Sequence, residues 1–258
     1  MFNARDFLDD PIHGDKFLQS NFWNDRGGKQ IDTAKPVLFC KTDYLADLTH
    51  APRVLVTHNS DHGPERYTRP EGVQAWFAQN AKSSKYIPIP IGLERPGIAG
   101  SGNVQDFIDA ADRPAVRDNL VYINFSDGTN PERPKVKDHF RDCRWASIQE
   151  KRIPFRDFLQ QVRGHVCCVS PPGNGSDCHR TWEALYMGTI PICEDNYHNR
   201  EFARILPILL YSDFREIRLE WLLAGLRDIR RKLEANVYTL RALRGQFWLD
   251  LINTYGAA

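Results

Sequence analysis

The stretch VSPPGNGSDCHRTWEALYMGTIPIC, Val169 to Cys193, decides how the chain is read. It leaves an apolar run, breaks at Pro-Pro-Gly-Asn-Gly, restarts with helical spacing and stops at Gly188 before a second apolar run, TIPIC (189–193). Strand, turn, helix and strand follow one another. A helix N-terminus carries partial positive charge and unpaired N–H groups, so acidic residues favour it. Asp177 obeys that rule, whereas His179 and Arg180 add cations to the same end. Cations there make sense when an anion arrives from outside the helix.

The alternation continues outward in both directions. NLVYINF (119–125), HVCCVS (165–170) and PILLYS (207–212) are short apolar runs that predict buried strands. Helical spacing occupies 134–142, IPFRDFLQQVRG (153–164, stopping on Gly164), about 177–187, and HNREFARIL. From residue 214 the pattern predicts one or two long amphipathic helices. Upstream, PVLFCK (36–41) and RVLVTH (53–58) predict strands, VQAWFAQNA (73–81) a helix, and KYIPIPIGL (85–93) an extended edge segment marked by prolines. Residues 1–35 are polar with scattered aromatics and no clear period. A Gly-, Pro- and Asp-rich stretch places a break near residues 96–117, dividing the chain into 1–105 and 106–258. Strands alternating with helices predict an α/β fold: two Rossmann-like halves with parallel sheets and a cleft between them.

The totals restrict the function classes. The sequence has 258 residues, 41% hydrophobic and 26% charged, ordinary for a globular protein with a sizeable core. A formal net charge of +1 gives no global field toward nucleic acid or an anionic membrane. No apolar run is long enough to span a bilayer, and MFNARDFLDDPIHGDKF lacks the pattern of a secretory signal, so a cytoplasmic location is expected. The six cysteines form no C-x-x-C pair. Cys167 and Cys168 are neighbours on a strand and point to opposite faces, so buried reduced thiols are expected rather than a metal site.

In open α/β sheets ligands sit beyond the carboxyl ends of the strands. The loop PPGNGSD leaves one such end. Gly173 and Gly175 let the backbone approach a ligand, and Asn174 or Ser176 can cap the helix. Arg180 offers a planar fork to a phosphate, and Glu183, one turn on, can accept hydrogen bonds from a ribose diol. Three residues apart, the same two side chains also fit a plain surface ion pair. The loop has neither the G-K-[ST] ending of a P-loop nor a G-x-G-x-x-G fingerprint.

Residues 170–191, from Ser170 and Pro171 through Gly173, Gly175, Asp177, His179, Arg180, Trp182, Glu183, Gly188 and Pro191, resemble the donor-binding segment of exostosin-type glycosyltransferases and related bacterial and viral sugar transferases. VYINFSDGTNPER (121–133), VTHNSD (56–61) and the run from Trp76 to Glu94 resemble the same group more loosely, so the likeness spans roughly residues 36–212. The resemblance implies a GT-B fold with a nucleotide-sugar donor in the C-terminal half. It places Arg180 on the diphosphate and Glu183 on the ribose, with Asn174, Gly175, Ser176, Asp177 and His179 around them. Asn124, Ser126, Asn130 and Arg133 follow strand 119–125 into the same cleft, Arg133 as a second phosphate ligand and, equally, as an exposed helix-start residue.

The first half is then expected to present the acceptor and the catalytic base. THNSDH (57–62) and KTDY (41–44) both leave strand ends, so Asp61, His58 and Asp43 are the candidates, in that order. The expected function is transfer of a sugar from a nucleotide-sugar donor to a hydroxyl acceptor, a glycan or another alcohol, with inversion. No metal or cofactor is expected, because no D-x-D triplet follows an apolar strand. Two alternatives stay open. A DNA- or nucleobase-modifying transferase would use Lys135, Lys137, Arg141 and Arg144 as part of a basic groove, and a non-catalytic sugar-nucleotide binder would act as a partner subunit.

Overall fold

A computed structural model describes residues 2–13, 22–23, 34–48, 50–95 and 101–257. The predicted break therefore falls partly outside the described residues, at 96–100. Two five-stranded sheets, each with every strand parallel to its neighbours, form the frame. The first holds β1 (Phe22–Trp23), β2 (Val37–Lys41), β3 (Val54–His58), β4 (Ala75–Ala78) and β5 (Ile87–Pro88) in sequence order. The second holds β6 (Asn119–Ile123), β7 (Ala146–Ile148), β8 (His165–Ser170), β9 (Ile190–Glu194) and β10 (Leu209–Tyr211), in the order β10-β9-β8-β6-β7. The helices are α1 (Val104–Asp112), α2 (Arg133–His139), α3 (Phe155–Arg163), α4 (His179–Tyr186), α5 (Tyr197–Ala203), α6 (Leu219–Glu234) and α7 (Gly245–Ala257). None of them is long and apolar enough to cross a membrane.

The central strands are largely apolar because both of their faces are covered. In the second sheet Val121, Ile123, Cys167, Val169 and Ile192 pack with Val136 of α2, Phe140 just after it, and Leu222 and Ile229 of α6. Tyr122, Cys168 and Cys193 join the opposite cluster, so Cys167 and Cys168 do face opposite ways. All six cysteines are free thiols. That opposite cluster is shared by both sheets. Phe39, Val56 and Phe77 of the first sheet meet Trp182 and Tyr186 of α4, Phe202 of α5, and Trp248 and Ile252 of α7. The final helix therefore returns from the second sheet to pack on β2 and β3 of the first. Arg53 donates to the carbonyls of Tyr255 and Gly256 at its end.

The helix predicted over 73–81 is strand β4 instead. Every residue from Ala75 to Ala81 is buried, leaving no polar stripe, and Trp76 and Phe77 fill opposite faces. A short run buried on both sides satisfies its backbone in a central strand, and the Trp76 indole donates to Thr57 Oγ1 at 2.9 Å. The first half also departs from a regular Rossmann pattern. Its described connections carry 3₁₀ turns (Thr42–Asp47 and Pro64–Arg66) rather than α-helices, in segments broken by Pro52, Gly63, Pro70 and Gly72. Besides the two-residue β1, two elements are absent from the sequence-based expectation. Helix α1 lies inside the predicted break, capped by Asn103, and β7 is a half-buried edge strand of three residues.

Candidate functional site

In the second sheet the chain moves outward one way from β6 to β7 and the other way from β8 to β10. The crevice between the carboxyl ends of β6 and β8 is therefore a topological switch point, the place where such sheets bind ligands. The loops after these strands are cross-tied. Arg133, 8% exposed, donates from Nε to Pro172 O (2.9 Å), from Nη1 to Ser126 O (3.0 Å) and from Nη2 to Pro171 O (3.1 Å). Asn130 Nδ2 donates to Gly173 O at 3.2 Å. Arg133 is thus neither exposed nor free for phosphate: its fork is spent on loop carbonyls, and burial pulls its guanidinium below the usual range. Ser126 contributes its carbonyl to that bond and is itself exposed.

The loop Pro171–Cys178 then runs along the other half. Helix α4 starts after Cys178 with no side-chain cap, so neither Asn174 nor Ser176 caps it. Asp177 is fully enclosed instead. Its carboxylate accepts from Ile91 N–H at 2.8 Å, Cys178 N–H at 2.9 Å and the Trp182 indole at 3.0 Å, and meets His198 Nε2 at 3.2 Å. Its own N–H donates to Asn80 Oδ1 at 2.9 Å, while Asn80 Nδ2 donates to Ser60 O at 3.0 Å. A side chain at Gly175 would sit 2.5 Å from that Asn80 amide, which is why glycine stands there. His179 completes the seam: Nδ1 lies 2.7 Å from Gly92 O, and Nε2 lies 3.3 Å from Glu94 Oε2. Burial opposes the charge on His179, but Glu94 outweighs it and holds the imidazole above its ordinary range; the same contact holds Glu94 low. Four residues placed around the donor by resemblance (Asn174, Gly175, Asp177 and His179) therefore touch the first half.

Arg180 and Glu183 do pair, Nε to Oε2 at 3.1 Å, but not on the surface: the Glu183 side chain is buried. Arg180 also donates to Asn124 O, and its guanidinium lies 4.0 Å from the Phe158 ring centre. With Arg152, Phe155 and Asn124 it lines a cavity of about 380 Å³ at the switch point. Asn124 is fixed there, its amide donating to Gln149 O at 3.2 Å. Glu183 does not line the cavity and reaches it through Arg180.

Asp43, His58 and Asp61 line one neighbouring cavity of about 290 Å³, together with His179 from the other half. Their states differ. His58 is 2% exposed, its Nε2 sits 2.9 Å from Pro90 O, and burial pushes it down to about 4, so it is neutral near pH 7. Asp43 is partly buried, which works against ionisation, yet Lys41 Nζ at 2.8 Å and Ser60 Oγ at 2.6 Å hold it below the usual carboxylate range. Asp61 is exposed and accepts one bond, from Asn174 Nδ2 across the seam at 3.1 Å. Glu94, Asn80 and Arg152 are site residues that the sequence does not announce. The turn at Asn80, with φ of 57°, is the only local signal, and it lies within the stretch that reads as helix.

Three of the four cations in the basic run are spent on internal pairs, and Arg144 is exposed. Lys135 pairs with Glu132, the buried Lys137 with Asp127, and Arg141 with Asp138 and Glu150. Among the described residues no group of three or more His, Cys, Asp or Glu is arranged to hold a metal ion. Asp9 and Asp10 dock the N-terminal segment on the start of α7, through Arg244 and Gln246 N–H. No protein-family model matches the chain, and no curated protein sequence matches it.

Proposed function

We propose that the protein is a glycosyltransferase on a GT-B-like frame that moves a sugar from a nucleotide-sugar donor to a hydroxyl acceptor, with inversion and without a metal ion. One observation carries this reading. Side chains from opposite halves, Asp43, His58 and Asp61 on one side and His179 on the other, converge on a single cavity, and the residue after His179 is the arginine at the switch point. The nucleoside diphosphate is assigned to the Arg180 cavity, where Arg180 and Arg152 supply positive charge and Phe155 and Phe158 supply aromatic faces. Glu183 acts by aiming Arg180. Asp61 is the base, since Asp43 is already engaged by Lys41 and Ser60 and the His58 Nε2 is tied to a carbonyl. Asp61 takes the acceptor proton while the acceptor oxygen bonds to the anomeric carbon. The bond from that carbon to the diphosphate breaks, and the diphosphate leaves with the electron pair. No observation favours a nucleic-acid substrate: three of the four cations of the basic run, Lys135, Lys137 and Arg141, are paired internally.

The test is thermal shift with a panel of UDP-, GDP- and TDP-sugars, followed by donor hydrolysis. At about a hundred times the dissociation constant one donor should stabilise the fold by roughly 2.7 kcal/mol. Arg180→Ala should remove that shift. No shift with any donor rejects the reading, and a shift without hydrolysis or transfer favours the non-catalytic binder.

A further inference from the structure

A larger cavity, about 460 Å³, lies between the halves and contains neither Arg180 nor His58. Its second-half wall is the glycine-rich loop, Pro172 to Ser176, with Glu194 and Asn196 at the carboxyl end of β9, and its first-half wall includes His62, Arg66 and Lys82. Asp61 lines both this cavity and the neighbouring one that holds His58 and His179. That carboxylate therefore stands at the boundary between two chambers, and Asn174 bonds to it there.

We propose that this cavity is the acceptor site, and that its acceptor is a carbohydrate whose attacking hydroxyl is presented to Asp61 from the side opposite the donor. The proposal rests on the glycosyltransferase reading above and deepens it. Inversion requires the acceptor oxygen to approach from the face away from the leaving diphosphate. Two chambers meeting at one carboxylate provide that separation: donor sugar beside His179, acceptor beside the glycine-rich loop. The lining identifies the chemistry. Asn196 uses its Oδ1 to cap α5 (accepting from Asn199 N–H), and no described residue pairs with its Nδ2 or with the Glu194 carboxylate. These groups, with Ser176 and the free Oδ1 side of Asn174, offer donors and acceptors in close mixture, which matches a sugar hydroxyl, itself both donor and acceptor. Beside the polar His62 imidazole, Tyr197 brings the one phenyl ring to the wall, so an extended apolar aglycone finds little surface. The glycine-rich loop thereby serves the acceptor rather than the donor phosphate.

The test uses the full chain on an array of neutral oligosaccharides, in the presence of the nucleotide sugar that stabilises it. The parent should bind at least one glycan. Glu194→Gln and Asn196→Asp, the latter keeping the oxygen that caps α5, should each weaken that binding roughly tenfold or more. The donor-induced thermal shift should stay at the parental value, which also reports folding. Unchanged glycan binding by both variants overturns the site, and a parent that binds donor but no glycan overturns the carbohydrate class. Absence of any donor shift in the parent instead sinks the underlying glycosyltransferase reading.

Discussion

Replacing Asp177 tests whether the turn of the motif is a ligand contact or a strut. Its side chain has no exposed surface and accepts from Ile91 N–H, Cys178 N–H and the Trp182 indole, with His198 as a fourth neighbour. In Asp177→Asn one oxygen becomes an NH₂ group. With the amide oxygen kept toward Cys178 and Trp182, the new NH₂ faces the Ile91 N–H, and a buried donor loses its acceptor. Such a group costs about 1–3 kcal/mol, and the remaining bonds lose their charge assistance, so the total is about 2–4 kcal/mol. For a chain of this size each kcal/mol moves the melting temperature by roughly 2–4 °C, giving a fall of about 4–16 °C. Asp177→Ala strips the acceptor from every one of these donors and should cost about 4–8 kcal/mol, comparable with the whole stability of a domain. Urea denaturation measures the loss, and amide hydrogen exchange localises it: the Ile91 N–H, on the first half, should exchange faster in Asp177→Asn. A loss below about 1 kcal/mol, or an unchanged Ile91 amide, refutes the strut.

The seam should also respond to pH. His179 is held above its ordinary range, so its contribution is complete at low pH and fades as pH rises through the raised value; Glu94 is held low, so its contribution fades as pH falls through the depressed value. Denaturation midpoints from about pH 6 to about pH 9 should therefore fall with rising pH, and Glu94→Gln should flatten that slope. Gly175→Ala drives a methyl into the Asn80 amide and should cost about 2–4 kcal/mol in urea, by breaking its bonds to Asp177 N–H and Ser60 O; parental stability would contradict the close approach. Under saturating donor, Asp61→Asn should lower turnover roughly 10²–10⁴-fold with donor affinity near parental, whereas parental turnover would move the base elsewhere. Activity should persist in EDTA, and recovery only on adding a divalent metal would reject a reaction driven by Arg180 and Arg152 charge.

Much of the second half is legible because its central strands are short apolar runs and the helices before β8 and β9 stop at a glycine, Gly164 and Gly188. What periodicity cannot show is where a cation's hydrogens end. Arg133 reads equally as a phosphate ligand and as an exposed helix-start residue until the carbonyls of Ser126, Pro171 and Pro172 are seen to converge on it. Arg180 and Glu183 read equally as site or ion pair, and in the structure they are an ion pair at the edge of a cavity. Ala75–Ala78 reads as helix because a window dense in apolar residues has no period to distinguish one buried element from another. The seam is the least legible part. Asn80, Ile91, Gly92 and Glu94 come together with Asp177 and His179 only when two halves dock, a non-local event with no local signature.

The return of α7 to the first sheet sets an order of events during synthesis. Phe39, Val56 and Phe77 form an apolar face in the first sheet, but Trp248 and Ile252, which share their cluster, are made only after the whole second sheet. At about 5–20 residues per second, the ribosome needs roughly 10–40 s to travel from β2 to α7. Throughout that interval the first sheet lacks part of its cover, so the nascent chain presents a sticky surface that α7 later completes, and holdase chaperones have a defined window in which to act.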